Sequence, residues 1–393
     1  MTDTNKLMHT YNRIPVDFVR GEGSWLFDTE GNKYLDAISG IAVCALGHSH
    51  PGFIKAVQEQ MATLVHTSNL YSVPLQEKLA EKLCEASGMD RVFFCNSGAE
   101  GNEAQIKLAR MFGHRKGIEV PGIIAMEGAF HGRTMGSLTA THSNRHQDGF
   151  APFLDGFYRV PFNDAEAVAN TIKAHDNVVA ILVEPIQGEG GIVMPGADYL
   201  KALRTLCDDH DMLLMLDEVQ TGNGRTGKYF AYQHAGILPD VFATAKGLGN
   251  GFPIGACLAS GKAADIFQPG HHATTFGGSP LACAAALAVY AALLSENLME
   301  NATILGDRIK FGRSMRLQNA SHVKAIRGQG LMIGIELDGP CGELVGKARD
   351  MGVLINVASG NVIRLVPPLN LTEAESDLII DTISTLVSDF SGG

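Results

Sequence analysis

The 393-residue sequence predicts an α/β fold, with a large domain on a mainly parallel sheet and a smaller α+β domain assembled from both ends of the chain. Three observations predict it. Short apolar runs alternate with helical stretches through the middle, both ends read as paired strands, and 393 residues exceed what one hydrophobic core usually holds.

At the N-terminal end, "GSWLFDTEGNKYLDA" places the turn signal "TEGN" between two strand-like runs. "PLQEKLAEKLCEAS" then puts Leu75, Leu79 and Leu83 on one helical face. Strands are expected at 91–95, 122–126, 178–184, 212–218 and 241–245, each an apolar run suited to a sheet covered on both faces, and a helix at 199–210. "LACAAALAVYAALL" at 281–294 reads as a buried helix, too short for the ~20 residues that span a bilayer. "VKAIRGQGLMIGIELD" and "VLINVASGNVIRLVP" read as strand pairs. The last helix opens with Thr372 and Glu375 in capping-box spacing and aligns Ile379, Ile383, Leu386, Val387 and Phe390 on one face. The expected division is 1–60 for the N-terminal part of the small domain, 61–276 for the large domain, and 277–393 for a connecting helix and the rest of the small domain.

Lysine and arginine total 31 against 42 acidic residues, so nucleic acid and anionic membranes are not expected as partners. Seven cysteines, without a CxxC pair, suit a reducing cytoplasm better than a disulfide framework or a zinc site. No metal is expected, because His48 and His50 in "GHSHP" and the pair His271 and His272 lack accompanying ligands. "MTDTNKLMHTYNRIPVDF" shows no cationic segment followed by an apolar core, so no export signal is expected.

In "TAKGLGNGFPIG", Lys246 is the only charged side chain between Asp240 and Lys262. A lysine in so apolar a setting either reaches a carboxylate or loses its proton and becomes a nucleophile, as in Schiff-base enzymes. Ligands of such sheets bind at the carboxyl ends of the strands, and chemistry-bearing residues follow each expected strand. Ser97 and Gly98 open a helix suited to a phosphate, although Ser97 and Glu100 equally suit a capping box. "EGAFHGR" brings an aromatic, an imidazole and a guanidinium, and "EPIQGEGG" brings Glu184 and Glu189. Asp217 ends an apolar run, where it either meets a cation or bonds a loop. "GNGRTGKY" fits the GxxxxGK phosphate loop and keeps a non-catalytic nucleotide-binding protein as the rival class, but Tyr229 stands where that loop needs Ser or Thr.

"NSGAE", "FHGR", "EPIQGEGG", "LDEVQTGNGRTG", "TAKGLGNGFPIGA" and "TTFGGSPLAC", in this order, resemble the class-III (subgroup III) pyridoxal-phosphate-dependent aminotransferases, of the aspartate aminotransferase fold. The likeness runs from about Tyr11 to past Arg364. It implies pyridoxal 5'-phosphate held as a Schiff base by Lys246, with Asp217 on the ring nitrogen and Ser97, Gly98 and Ala99 at the phosphate. Phe130 and Val219 cover the ring's two faces, Gln220 reaches its phenolic oxygen, and Glu218 also lies against the cofactor. Arg133 holds the substrate carboxylate, Glu189 and Arg364 form a switch that admits 2-oxoglutarate, and Thr274 lies beside the substrate. Thr275 completes the phosphate site from the partner subunit of a homodimer. "SGIAVCALGHSHP" and the short N-terminus resemble the branch that takes acetylated ornithine as amino donor. Ile41, where the ornithine branch has tyrosine, agrees; Tyr11 matches another tyrosine of that branch, and the 4-aminobutyrate branch shares the isoleucine. Succinylornithine, succinyldiaminopimelate, ornithine and 4-aminobutyrate therefore stay open as donors.

Overall fold

The computed structural model describes residues 6–142, 144–317 and 322–390. Residues 1–5, the start of the stretch read for an export signal, lie outside them. A seven-stranded sheet forms the centre, in the order Arg91–Cys95, Gly255–Ala259, Val241–Thr244, Leu213–Asp217, Val178–Val183, Gly122–Met126 and Phe157–Val160. Gly255–Ala259 runs antiparallel to both neighbours, and the other paired strands are parallel. Four of the strands expected from sequence form within a residue of their predicted ends, and Arg91–Cys95 is also the predicted span. Their full burial follows from helices on both faces, among them Gly98–Arg115 and Tyr199–Asp209.

The sequence reading missed Phe18–Glu22, Phe157–Val160 and Gly255–Ala259. "GACLA" lies among glycines and carries small side chains, yet each of its residues is buried between two neighbouring strands. Its pairing, rather than its propensity, makes it a strand.

The chain ends build two smaller sheets. Phe18–Glu22, Trp25–Asp28 and Lys33–Asp36 form a meander that Val353–Leu354 joins in parallel, so the two ends of the chain share a sheet. Val323–Gln329, Met332–Leu337, Val362–Leu365 and Asn356–Ala358 form the other, all antiparallel. The helix Glu373–Ser388 has the expected reciprocal Thr372–Glu375 capping box, and Trp25 Nε1 donates to Glu375 Oε1 at 2.7 Å. The apolar stretch at 281–294 lies in the mostly buried helix Pro280–Ser295. Among the described residues no single helix is long and apolar enough to cross a membrane.

Candidate active site

The carboxyl ends of the parallel strands surround a cavity of about 380 Å³. Ser97, Gly98, Ala99, Phe130, Arg133, Glu189, Asp217, Val219, Gln220 and Lys246 all line it. Sequence-distant residues meet there because the loops that follow Cys95, Met126, Val183, Asp217 and Thr244 lie at one edge of the sheet.

Ser97 caps the 18-residue helix Gly98–Arg115, its hydroxyl accepting from Glu100 N at 3.2 Å. The capping and phosphate readings coexist, since one capped amide leaves the other amides of the first turn, and the positive end of the helix dipole, facing the cavity. A Cβ on Gly98 would lie 2.6 Å from the Val219 methyl groups, so only glycine lets Val219 approach this turn.

Lys246 leaves its strand in the left-handed region, at φ 45°, and enters the cavity. Burial lowers its pKa; Arg364 adds to the shift, while Glu189, Asp217 and Glu184 oppose it. Among the described residues, no hydrogen bond or ion pair reaches its Nζ. Asp217 is 4% exposed and its carboxylate collects three donors. Oδ2 accepts from Asn102 Nδ2 at 2.7 Å and from His131 Nδ1 at 2.8 Å, and Oδ1 accepts from Val219 N at 3.0 Å.

The Glu184 carboxylate accepts from Phe130 N at 2.9 Å and Gly188 N at 3.0 Å, tying the loop that carries Phe130 to the one that carries Glu189. Burial pushes its pKa up to about 7. Arg364, 1% exposed, donates to Glu189 Oε1 at 2.5 Å, and its Nε and Nη2 donate to Asn356 Oδ1 at 3.0 and 2.7 Å. Burial favours the neutral acid at Glu189, but the Arg364 guanidinium outweighs it and holds the carboxyl below its ordinary value.

The class-III aminotransferase family profile matches residues 7–387, nearly the whole chain. The chain belongs to the class-III aminotransferases. It is 55% identical over 386 residues to the acetylornithine aminotransferase of Nitrosomonas europaea, covering 98% of each chain. The ornithine aminotransferase of Toxoplasma gondii superposes with a TM-score of 0.94 at 32% identity, covering 98% of this chain and 92% of that one. The acetylornithine aminotransferase of Elizabethkingia anophelis superposes at 0.87 and 34% identity, covering 98% and 96%.

Class-III aminotransferases depend on pyridoxal 5'-phosphate, and the residues present fit it. A lysine amine and a buried Gln220 side-chain oxygen, both without a partner among the described residues, face the same space as a buried carboxylate and a helix start. Four expected residues do not line this space: Glu218, Thr274, Thr275 and Arg364, the last of which touches it only through Glu189. Glu218 turns the other way along the strand direction, accepting from Tyr232 N at 2.9 Å and from the Thr221 hydroxyl, so its expected place against the cofactor is corrected to a loop anchor. Thr274 and the exposed Thr275 line a separate cavity of about 630 Å³, where the Thr274 hydroxyl accepts from Asn96 Nδ2 at 3.1 Å.

His131 was visible in "FHGR" without a role, and Asn102 was missed; both are identifiable only through Asp217. The other candidate motifs are committed elsewhere. Residues 222–229 form turns without a following phosphate-binding helix, and Arg225 is buried, donating to Leu331 O at 3.1 Å. His48 Nε2 pairs with Asp36 at 2.9 Å, His50 Nε2 with Glu296 at 2.9 Å, and His272 Nδ1 with Lys107 at 2.9 Å.

Proposed function

We propose that this transaminase moves the terminal amino group of N2-acetyl-L-ornithine to 2-oxoglutarate. The observation that carries the reading is the buried Arg364 paired with Glu189, which lines the cavity: a cation that one carboxylate can mask. The donor carries no second carboxylate at its reacting end, whereas 2-oxoglutarate does, so one pocket serves both if Glu189 covers Arg364 for the first and yields it for the second. The 55% identity to an enzyme named for acetylornithine supports that donor, and the higher structural score to an ornithine enzyme carries less weight at 32% identity.

When bound, pyridoxal 5'-phosphate supplies a carbonyl that condenses with amines and a ring that accepts electrons. Lys246 Nζ holds the cofactor and moves a proton at the reacting carbon. Asp217 would hold the proton of the ring nitrogen, the amides of Gly98 and Ala99 would bind the phosphate with Ser97 nearby, and Phe130 and Val219 would flank the ring. Gln220 reaches the phenolic oxygen. Arg133, 5.1 Å from the Phe130 ring centroid, forks onto the donor's α-carboxylate. Borohydride treatment of the yellow holoenzyme is expected to leave a fixed adduct on the peptide carrying Lys246, read by mass spectrometry. A colourless protein that binds ATP is the opposite outcome.

A donor panel with 2-oxoglutarate as acceptor tests the substrate. Acetylornithine is expected to exceed ornithine and 4-aminobutyrate in kcat/KM by at least roughly tenfold, about 1.4 kcal/mol of transition-state discrimination. Succinylornithine and succinyldiaminopimelate belong in the same panel. Equal or better turnover of free ornithine sinks the donor assignment and leaves the cofactor chemistry standing.

The division at 1–60, 61–276 and 277–393, a cytoplasmic location and a homodimer complete the proposal. Leu70, Tyr71 and Phe276 are 86%, 71% and 64% exposed around the cavity that holds Thr275, and this apolar surface supports a partner there. In such a dimer Thr275 reaches the partner's phosphate site, and Thr274 reaches its substrate. Mixing Lys246→Ala and Thr275→Val chains is expected to restore up to about half the activity per site, since each mixed dimer contains one intact site. No recovery in mixed dimers isolated as such assigns Thr275 to its own subunit.

A further inference from the structure

Ser39, Gly40, Ile41 and Ala42 have φ values of 44°, 66°, 65° and 61°, four consecutive left-handed residues of which only one is glycine. For residues with a Cβ, and above all a β-branched isoleucine, this region is crowded by the following carbonyl. Such a turn persists only where its surroundings fix it.

The fixing groups are explicit. Asp36, 1% exposed, accepts from Ile38 N at 3.2 Å and Ser39 N at 2.8 Å through Oδ1, while its Oδ2 pairs with His48 Nε2 at 2.9 Å. The Ser39 hydroxyl donates to Val366 O at 2.5 Å, and Val366 N donates to Ala37 O at 2.9 Å, so the turn is tied to the strand end beyond Arg364. On the other side Leu46 N donates to Asn250 Oδ1 at 2.8 Å, in the loop that follows Lys246. Val43, the next residue after the turn, lines the active-site cavity. The turn therefore bridges the Lys246 loop and the Arg364 strand. Pairing with Asp36 and contact with the Cys44 thiol raise the His48 pKa to about 9, so His48 is protonated near neutral pH.

We propose that Asp36 and His48 are positioning residues that hold the left-handed turn Ser39–Ala42 and thereby set the discrimination between acylated and free diamino acid donors. The inference rests on the donor reading above. Without the ion pair the turn relaxes toward right-handed or extended backbone, which moves Ile41 and Val43 relative to the cavity while Lys246, Asp217 and the helix start at Gly98 keep their own anchors.

The test uses holoenzyme variants Asp36→Asn, His48→Ala and His48→Gln. Asparagine retains an oxygen for the two amides but loses the charge, alanine removes the partner, and glutamine can still donate to Asp36. Asp36→Asn and His48→Ala are expected to lower the acetylornithine-to-ornithine ratio of kcat/KM by about fivefold or more, mainly through KM. His48→Gln is expected to recover most of the ratio. The visible circular dichroism of the bound cofactor and the half-reaction with 2-oxoglutarate should stay within about twofold of the parent. A ratio that stays at the parental value in folded Asp36→Asn overturns the proposal, as does a loss shared equally by both donors.

Should the clamp variants fail to fold, Ile41→Gly and Ile41→Ala decide whether the turn is left-handed. Glycine should melt at or above alanine, reversing the usual order inside structured segments. A clearly higher melting point for alanine overturns the proposal. A parent that prefers ornithine refutes the donor reading instead, and the clamp remains measurable as a change in the same ratio.

Discussion

Replacing Lys246 with alanine is expected to lower kcat for amino transfer by at least about 10⁴-fold without loss of the fold, because in the proposed function one side chain both holds the cofactor and moves the proton. Its amine is favourably placed for both tasks. Burial lowers its pKa, so more of it is neutral at a given pH than of a solvated lysine, and among the described residues no side chain bonds its Nζ. The carboxylates of Glu189, Asp217 and Glu184 pull the pKa back up, which keeps the ammonium form accessible as a proton donor. Alanine retains the Cβ at φ 45°, so backbone strain at this position is unchanged, while a buried amine that costs free energy to desolvate is removed. The thermal midpoint of the variant prepared without cofactor is therefore expected to equal or exceed that of the parent prepared in the same way. Single-turnover assays with each half-reaction and a melting curve check the two parts. Activity near the parental level takes Lys246 out of the mechanism.

The central strands were legible because each is an apolar run with turn signals beside it, and the rule that ligands sit at strand carboxyl ends then selected Ser97, Asp217 and Lys246. Glu218 was open to the same reasoning. Consecutive strand residues face opposite ways, so an Asp217 that faces the cavity sends its neighbour elsewhere. Asn102 and His131 were harder, because their partner Asp217 lies 115 and 86 residues away, and only the fold brings a helix face and a loop against that strand end. The left-handed turn at Ser39–Ala42 left no local mark. "SGIA" has one glycine where four residues take positive φ, and the groups that enforce it lie at Asp36, His48 and Val366. Burial and backbone tethers decide such a conformation, and single-residue propensity does not.

Asparagine at Asp217 keeps the outline of the side chain and removes its charge, and kcat is expected to fall by about 10²-fold to 10³-fold, some 2.7 to 4 kcal/mol of lost electrostatic stabilisation. The local hydrogen bonds explain why a carboxylate is required. Asn102 Nδ2, His131 Nδ1 and Val219 N all donate to this one group, so both oxygens serve as acceptors. An amide can present only one oxygen, and its NH₂ must face at least one of those donors. Rotating the oxygen toward Asn102 and His131 opposes the NH₂ to Val219 N and disturbs a residue that lines the cavity; the other rotamer opposes two side chains instead. Either choice also removes the negative charge that, in the proposed function, would retain a proton on the ring nitrogen. Glu184 cannot replace it, since both its oxygens accept backbone amides and burial already pushes its pKa up to about 7. The charge loss and the structural disturbance separate experimentally. Asp217→Glu restores charge without the geometry, and His131→Gln weakens the orienting bond while leaving the carboxylate in place. If the charge dominates, His131→Gln loses far less activity than Asp217→Asn at similar melting temperature. An Asp217→Asn enzyme that transaminates at the parental rate would show that the carboxylate serves only to fasten Asn102, His131 and Val219 together.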